Sequence, residues 1–211
     1  MDGLDLPNAR IRLRRESTAP GAPDRSSELT LWLDGPRFRL RDHAGRPFPD
    51  VLADVTAPRG FGRTARSMED FATAWTPAEH PRRPTEIFVD GAAGQAVVVE
   101  GDDDPWRLDA TDPLRLLDLV LARGRQQELS ADGEGTVLDR VCGRYRFELR
   151  GEEQGTGYRT EVQWWIFEPY LLRRELRDLP HGRLSMITEV VQLDEGVVTN
   201  ADVGFADPTT P

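Results

Sequence analysis

Apolar and polar residues alternate with a period of two along most of this chain, as strands require, because successive side chains of a strand point to opposite faces. Ile11 and Leu13 alternate with Arg10, Arg12 and Arg14 over 10–16. Leu29, Leu31 and Leu33 alternate with Thr30 and Trp32 over 28–34, and Phe38 and Leu40 with Arg37, Arg39 and Arg41 over 37–42. A Ser/Pro/Gly-rich link, STAPGAPDRSS, separates the first two runs, and Gly35-Pro36 turns the second into the third. The three runs predict an antiparallel meander with an aliphatic or aromatic inner face and an outer face that is mostly arginine. Further strands are predicted over 85–90, 95–100, 106–109, 136–150, 158–168, 170–178, 183–193 and 197–203.

Two segments break the alternation. Residues 43–66 are rich in Gly and Pro, and a pattern-poor stretch of that length in a compact domain is typical of a lid or binding loop. Ser67 as cap, Glu69 and Asp70 in the first turn, and Met68, Phe71 and Trp75 at helical spacing predict a short helix over 67–75. The segment 43–75 is therefore read as a lid. A second helix is predicted over 111–124, with Asp112 as cap, Pro113 in the first position and Gly124 at the end. Leu114, Leu117, Val120 and Leu121 give it one apolar stripe, which lays it on the sheet. Strands joined by turns outnumber helices, so the expected fold is α+β but mostly β. It is one domain over 1–211, with a curved antiparallel sheet of about eight to eleven strands wrapped over one or two helices.

The stretch EVQWWIFEPYLLRREL reads as a hairpin with aromatic surface on both faces of its first arm. Tyr158, Thr160, Val162, Trp164 and Ile166 share one face; Arg159, Glu161, Gln163, Trp165 and Phe167 share the other. Pro169 has no amide to donate to a ladder and ends the strand. Leu172, Arg174 and Leu176 then alternate with Arg173, Glu175 and Arg177 in the return. Collected from all runs, Leu31, Phe38, Leu40, Phe147, Trp164, Ile166 and Leu172 line the concave face and are the candidate ligand-binding residues. Two readings stay open: a cavity, or a solid core closed by the helix at 111–124. One helix covers only part of a wide curved sheet, and uncovered apolar surface calls for a lid, a ligand or a partner.

Charge narrows the classes of function. The 211 residues carry a formal net charge of −10, which argues against a nucleic-acid binder. All 27 basic residues are arginine. The single cysteine, Cys142, excludes an intrachain disulfide and fits a reducing compartment. No run approaches the ~20 apolar residues of a membrane helix. The first residues lack the apolar run of a signal peptide, so the expected location is the cytoplasm, or export with a leader already removed.

Catalytic and metal signals are weak. Arg59–Arg63 (RGFGR) lacks the third glycine of a dinucleotide fingerprint and the Lys-Ser/Thr of a phosphate loop, so a plain turn is the expectation. Asp102, Asp103 and Asp104 lack the alternation and distal Glu of a calcium loop. His43, His80 and His181 show no metal-ligand spacing, so no metal or cofactor is expected. Cys142 has no activating base in its sequence neighbourhood, and no Gly-x-Ser-x-Gly motif occurs. Arg10, Arg12, Arg14, Arg37, Arg39 and Arg41 should share the outer face with Trp32 and Glu28, as a solvated row or as an anion-binding stripe.

The hairpin also resembles the lipoprotein-carrier superfamily, that is LolA and its lipoprotein relatives such as LprG. Trp165-Ile166-Phe167-Glu168-Pro169-Tyr170-Leu171-Leu172 is similar to the family's Trp-Ile-Asp-Pro-like segment, with Phe167 and Glu168 where the family has a single Asp. Val141-Cys142-Gly143-Arg144-Tyr145 resembles its Gly-Arg strand entry. Asp112-Pro113-Leu114-Arg115-Leu116-Leu117 resembles its mid-chain helix opening, and Val203-Gly204-Phe205-Ala206-Asp207-Pro208 its Phe-x-x-Pro ending. The resemblance spans 9–208 in element order and implies an incomplete antiparallel barrel over a helix, with an apolar cavity between them. The expected function is binding of an apolar or amphipathic small molecule or acyl chain in that cavity. Two alternatives stand beside it. One is an interaction module that holds a protein partner on the concave face or the arginine stripe. The other is a cavity-based catalyst assisted by Glu168 or Tyr170.

Overall fold

The computed structural model of the chain describes residues 6–17, 25–49, 51–52, 83–111, 113–122, 129–153, 156–179 and 181–205. The alternating runs become strands of one sheet: β1 (Leu6–Ser17), β2 (Arg25–Gly35), β3 (Arg37–Asp42), β4 (Thr85–Asp90), β5 (Gln95–Glu100), β6 (Trp106–Asp109), β7 (Ser130–Val137), β8 (Arg140–Glu153), β9 (Thr156–Phe167), β10 (Tyr170–Leu179) and β11 (Arg183–Glu195). The order is β6-β5-β4-β3-β2-β1-β11-β10-β9-β8-β7. Two antiparallel meanders, β1 to β6 and β7 to β11, are thus joined where the first strand pairs antiparallel with the last. The sheet is not closed, since β6 and β7 are its two ends. The architecture is the mostly β, antiparallel sheet with few helices that the alternation predicted, and it is open.

Three predicted elements need correction. The strand expected over 136–150 is two strands, because Leu138 (φ 51°) and Asp139 (φ 58°) form a two-residue turn between Val137 and Arg140. That turn requires positive φ at both central positions and is usually marked by Asn-Gly, which this chain lacks.

The helix expected over 111–124 is a 3-10 helix, Pro113–Leu119. Beyond it the chain bonds to β10. The amide of Leu171 donates to the Val120 carbonyl (2.8 Å), and that of Ala122 to the Pro169 carbonyl (3.0 Å). The cause lies in the sheet. The pairing of β10 with β11 ends at Arg173 and Glu189, so β10 before Arg173 has no partner strand on that edge among the described strands. One further turn, closed by the amides of Val120 and Leu121 on the Leu117 carbonyl (3.1 and 2.8 Å), brings Leu121 to the freed edge of β10, where it bridges antiparallel to Tyr170.

The strand expected over 197–203 is instead a short helix, α1 (Asn200–Val203). Thr199 starts it, its amide and Oγ1 both donating to Asp202 Oδ2 (2.8 and 2.7 Å). Such a cap satisfies donors that the first helical turn leaves unpaired.

The main core lies on the inner face. Leu13, Leu31 and Phe38 are fully buried there, and Leu116 and Leu117 of the 3-10 helix close over them. From the predicted lid, Phe48 and Val51 also pack into this core. The helix expected over 67–75 and the RGFGR loop lie outside the described residues.

Candidate functional site: a polar belt between two apolar bands

Directly opposed residues of neighbouring strands share a face, so the register reads the inner surface row by row. The first band is apolar and crosses the sheet as Leu40, Leu31, Ile11 and Leu193. Leu40, Leu31 and Ile11 belong to the same buried core as Leu116 and Leu117 of the 3-10 helix, with Leu193 packed against it. Past Leu13 the character changes. The next row runs Ser27, Arg15, Thr188, Arg174, Trp164 and Tyr145. Beyond it lies a second apolar band, Met186, Leu176, Val162 and Phe147. Val162, Leu176 and Met186 form a hydrophobic cluster separate from the main core, with Phe147, Leu149 and Trp164 packed against it. Among the described residues, every hydrophobic member of that cluster comes from the sheet itself.

The middle row is rich in hydrogen-bond donors. Arg174 is buried and Arg15 half-buried, on either side of Thr188. Arg46, also buried, reaches the same region from the turn after β3, its Nε donating to Asp42 Oδ2 (2.7 Å). Burial, reinforced by the positive charges of Arg46 and Arg174, pushes the Arg15 guanidinium down to about 9. Burial pushes Arg174 down to about 10, opposed by Asp118 on the 3-10 helix. Both remain cations at neutral pH. Arg15 Nε donates to the thioether of Met186 (2.9 Å), a weak acceptor. The Thr188 hydroxyl and the Trp164 indole nitrogen are buried with no hydrogen-bond partner among the described residues. Buried polar atoms without partners are rare, because each forfeits its hydration.

The seven candidate residues are distributed over this surface. Leu31, Phe38, Leu40 and Leu172 are fully buried within the main core. Ile166 is buried opposite Leu171. Phe147 and Trp164 stand together at the second band, ring edge to ring face with centroids 5.2 Å apart. Arg15, Thr188 and Arg174 escaped the sequence reading. A signal was present, since Arg15 continues the phase of Ile11 and Leu13, and Arg174 sits between Leu172 and Leu176. A charged residue in the apolar phase of a strand marks a polar position on the core face.

Other candidates resolve more simply. The outer arginines do share a face with Trp32 and Glu28, as expected, and they are ion-paired. Arg10 meets Asp194 (2.7 Å), Arg12 meets Glu28 (2.6 Å), Arg37 meets Asp90 (3.0 Å), and Arg39 (2.7 Å) and Arg41 share Glu86. Arg39 also stacks on Trp32 and Phe88, 4.8 and 5.1 Å from the ring centroids. A stripe so neutralised offers little to an acidic partner.

Of the suggested acid–base pair, Glu168 is exposed, whereas Tyr170 is buried and pushed up to about 12 by burial and the Glu195 carboxylate. Such a phenol neither accepts nor gives up a proton readily near neutrality. Burial also pushes the Cys142 thiol up, away from a reactive thiolate. His43 hydrogen-bonds Thr30 (2.8 Å), and no metal-binding group of His, Cys, Asp or Glu is found among the described residues.

Comparison with known proteins gives structural likeness alone. No protein-family model and no curated protein sequence matches the chain. Similar solved structures include an uncharacterized conserved protein from Thermus thermophilus (13% identity, TM-score 0.39, covering 98% of this chain and 88% of that one). A LolA superfamily protein from Nitrosomonas europaea is 10% identical, with a TM-score of 0.36 over 96% of this chain and 93% of its own. LprF from Mycobacterium bovis is 10% identical, with a TM-score of 0.38 over 94% and 90%. Overlap this partial transfers no function.

Proposed function

We propose that the protein binds an apolar or amphipathic small molecule or acyl chain on the inner face of its sheet, over β8 to β11. The observation that carries this reading is the second apolar band. Its centre is made of the buried Val162, Leu176 and Met186, and its border of the part-exposed Phe147, Leu149 and Trp164. A hydrocarbon chain laid along that border would gain roughly 25 cal/mol for each Å² of apolar surface removed from water, before the cost of association. The predicted lid over 43–75 belongs to the proposal as its cover, and a cytoplasmic location as its setting. Fractionation of the native host tests the location.

Native mass spectrometry after mild extraction, together with titration of a fluorescent fatty-acid analogue, tests the binding. A co-purifying ligand, or saturable binding weakened about tenfold or more by Trp164→Ala, is the expected outcome. The same variant should lower folding stability by only roughly 1–2 kcal/mol, because Trp164 is part-exposed and its indole nitrogen makes no bond among the described residues. Absence of both ligand and analogue binding overturns the reading.

A further inference from the structure

We infer that segment 197–205 is a detachable strap, which covers an aromatic docking row on the outer face and lifts from it as a unit while the sheet stays folded. The row is Trp32, Arg39 and Phe88, directly opposed on β2, β3 and β4. It lies on the face opposite the binding site proposed above and is independent of that site.

The strap brings three features to the row. Phe205 sets its ring against Phe88, with centroids 5.3 Å apart. The Asp202 carbonyl accepts from Arg39 Nη1 (3.4 Å), and this is the guanidinium that stacks on Trp32 and Phe88. α1 packs against β2 and β3, and its buried residue, Val203, belongs to neither hydrophobic cluster of the sheet. The row is therefore a docking surface for a short segment with a small apolar side chain, a free carbonyl and an aromatic ring. The occupant seated on it is the chain's own strap.

The ties that hold the strap are few and are made through side chains. Among the described residues, no backbone bond joins 197–205 to a strand. The Asn8 side chain holds Val198, donating to its carbonyl (2.8 Å) and accepting from its amide (3.0 Å). The Arg39 bond is at the long limit for a hydrogen bond, and the neighbouring Arg39 Nε is buried with no partner among the described residues. The backbone bonds of α1 are internal, from the Asp202 amide to the Thr199 carbonyl (2.9 Å) and from the Gly204 amide to the Asn200 carbonyl (3.0 Å). One helical turn does not persist without tertiary contacts, so the strap docks and undocks whole. A segment tied this loosely opens at a small fraction of the global unfolding free energy. Gly196, at φ 71°, stands at the root of the strap and supplies the pivot.

Hydrogen exchange on the full chain reads the lifting directly. The Asp202 and Gly204 amides should exchange at least about a hundredfold faster than ladder amides of β2 and β3. Val203→Asp should hold the strap off the row. In that variant the Trp32 indole resonance should move, while the denaturant midpoint stays near that of the wild type. A synthetic peptide copying residues 197–205 should bind Val203→Asp about tenfold or more tightly than wild type, whose own strap competes at high effective concentration. Peptide binding should also return the Trp32 resonance toward its wild-type position. Adding Arg39→Met should weaken the peptide about tenfold, through loss of the bond to its carbonyl. If Val203→Asp does not fold, Phe205→Ser carries the test, since Phe205 is part-exposed. Equal exchange of strap and ladder amides makes the strap part of the cooperative fold and overturns the inference. A peptide that fails to bind the released chain, or binds it no better than wild type, overturns it too.

Discussion

The two meanders of this sheet obey the same alternation yet end in different states. On the first side β3, β4 and β5 are six residues each, and the 3-10 helix with Phe48 and Val51 closes their inner face into a fully buried core. On the other side β8, β9 and β11 run 14, 12 and 13 residues and extend past that closure. The extension carries its own small cluster, bordered by part-exposed aromatics and separated from the core by a row of donors. A strand longer than the helix beside it keeps its apolar phase, and here that phase forms a second buried cluster, Val162, Leu176 and Met186, apart from the main core. The short side is built for stability, and the long side retains features that packing alone does not explain.

The largest expected difference between the two sides is in folding energy. Phe38→Ala removes a fully buried ring from the main core and should cost about 3–5 kcal/mol, read as a lower denaturant midpoint at unchanged slope. Ligand affinity per folded molecule should stay within about twofold of wild type. Trp164→Ala is the mirror image, with a small folding cost and a large binding loss. If Phe38→Ala were the cheaper of the two to fold, the assignment of core and site to opposite sides would be wrong.

That division was partly legible in the sequence. Alternation alone placed Leu31, Phe38, Leu40, Trp164 and Ile166 on the inner phase, because a strand's faces follow from a local period. It placed the outer arginines equally well, and the register pairs them with acids on neighbouring strands. The belt was not legible, since Arg15, Thr188 and Arg174 become neighbours only through the pairing of β1 with β11 and of β11 with β10. Those contacts bridge more than 170 positions between Arg15 and Thr188, and no local pattern encodes them. The 3-10 helix was misread for a related reason. Leu114, Leu117, Val120 and Leu121 fit a helical stripe, but the helix closes one turn after Leu117 and the open edge of β10 then claims Leu121 in a bridge to Tyr170.

The next effect tests how the long side is tied to the core. Trp165 packs against the main core and lies under the Arg173 guanidinium, 5.2 Å from its ring centroid. Gly135 on β7 leaves room for that indole: a Cβ there would come within 2.6 Å of Trp165 Nε1 and 2.8 Å of Cδ1. Both contacts are closer than non-bonded atoms tolerate, so Gly135→Ala should displace the ring and cost about 1–3 kcal/mol, the usual range for overpacking. Trp165 fluorescence should shift in the folded state. A neutral Gly135→Ala with unchanged emission would mean that β7 yields easily and that the long side is tied to the core elsewhere.

The smallest effect lies at the free end of the long side, in the turn between β7 and β8. Leu138 (φ 51°) and Asp139 (φ 58°) both occupy the left-handed region. For a residue with a Cβ that region is disfavoured by roughly 1–2 kcal/mol, and least so for Asn, Asp and Gly. Leu138 is also exposed, so its side chain recovers little of that cost by burial. The turn's geometry is the one that Asn-Gly adopts most readily. Replacing Leu138 with Asn and Asp139 with Gly should therefore raise stability by up to about 1 kcal/mol; added glycine freedom in the unfolded chain offsets part of the gain. Hydrogen exchange sharpens the comparison further. Slower exchange of amides on β7 and β8, with the first meander unchanged, would show that the long side opens locally from this edge. Equal slowing on both sides would show that the two meanders unfold as one unit, and the contrast between them would then be one of surface chemistry alone.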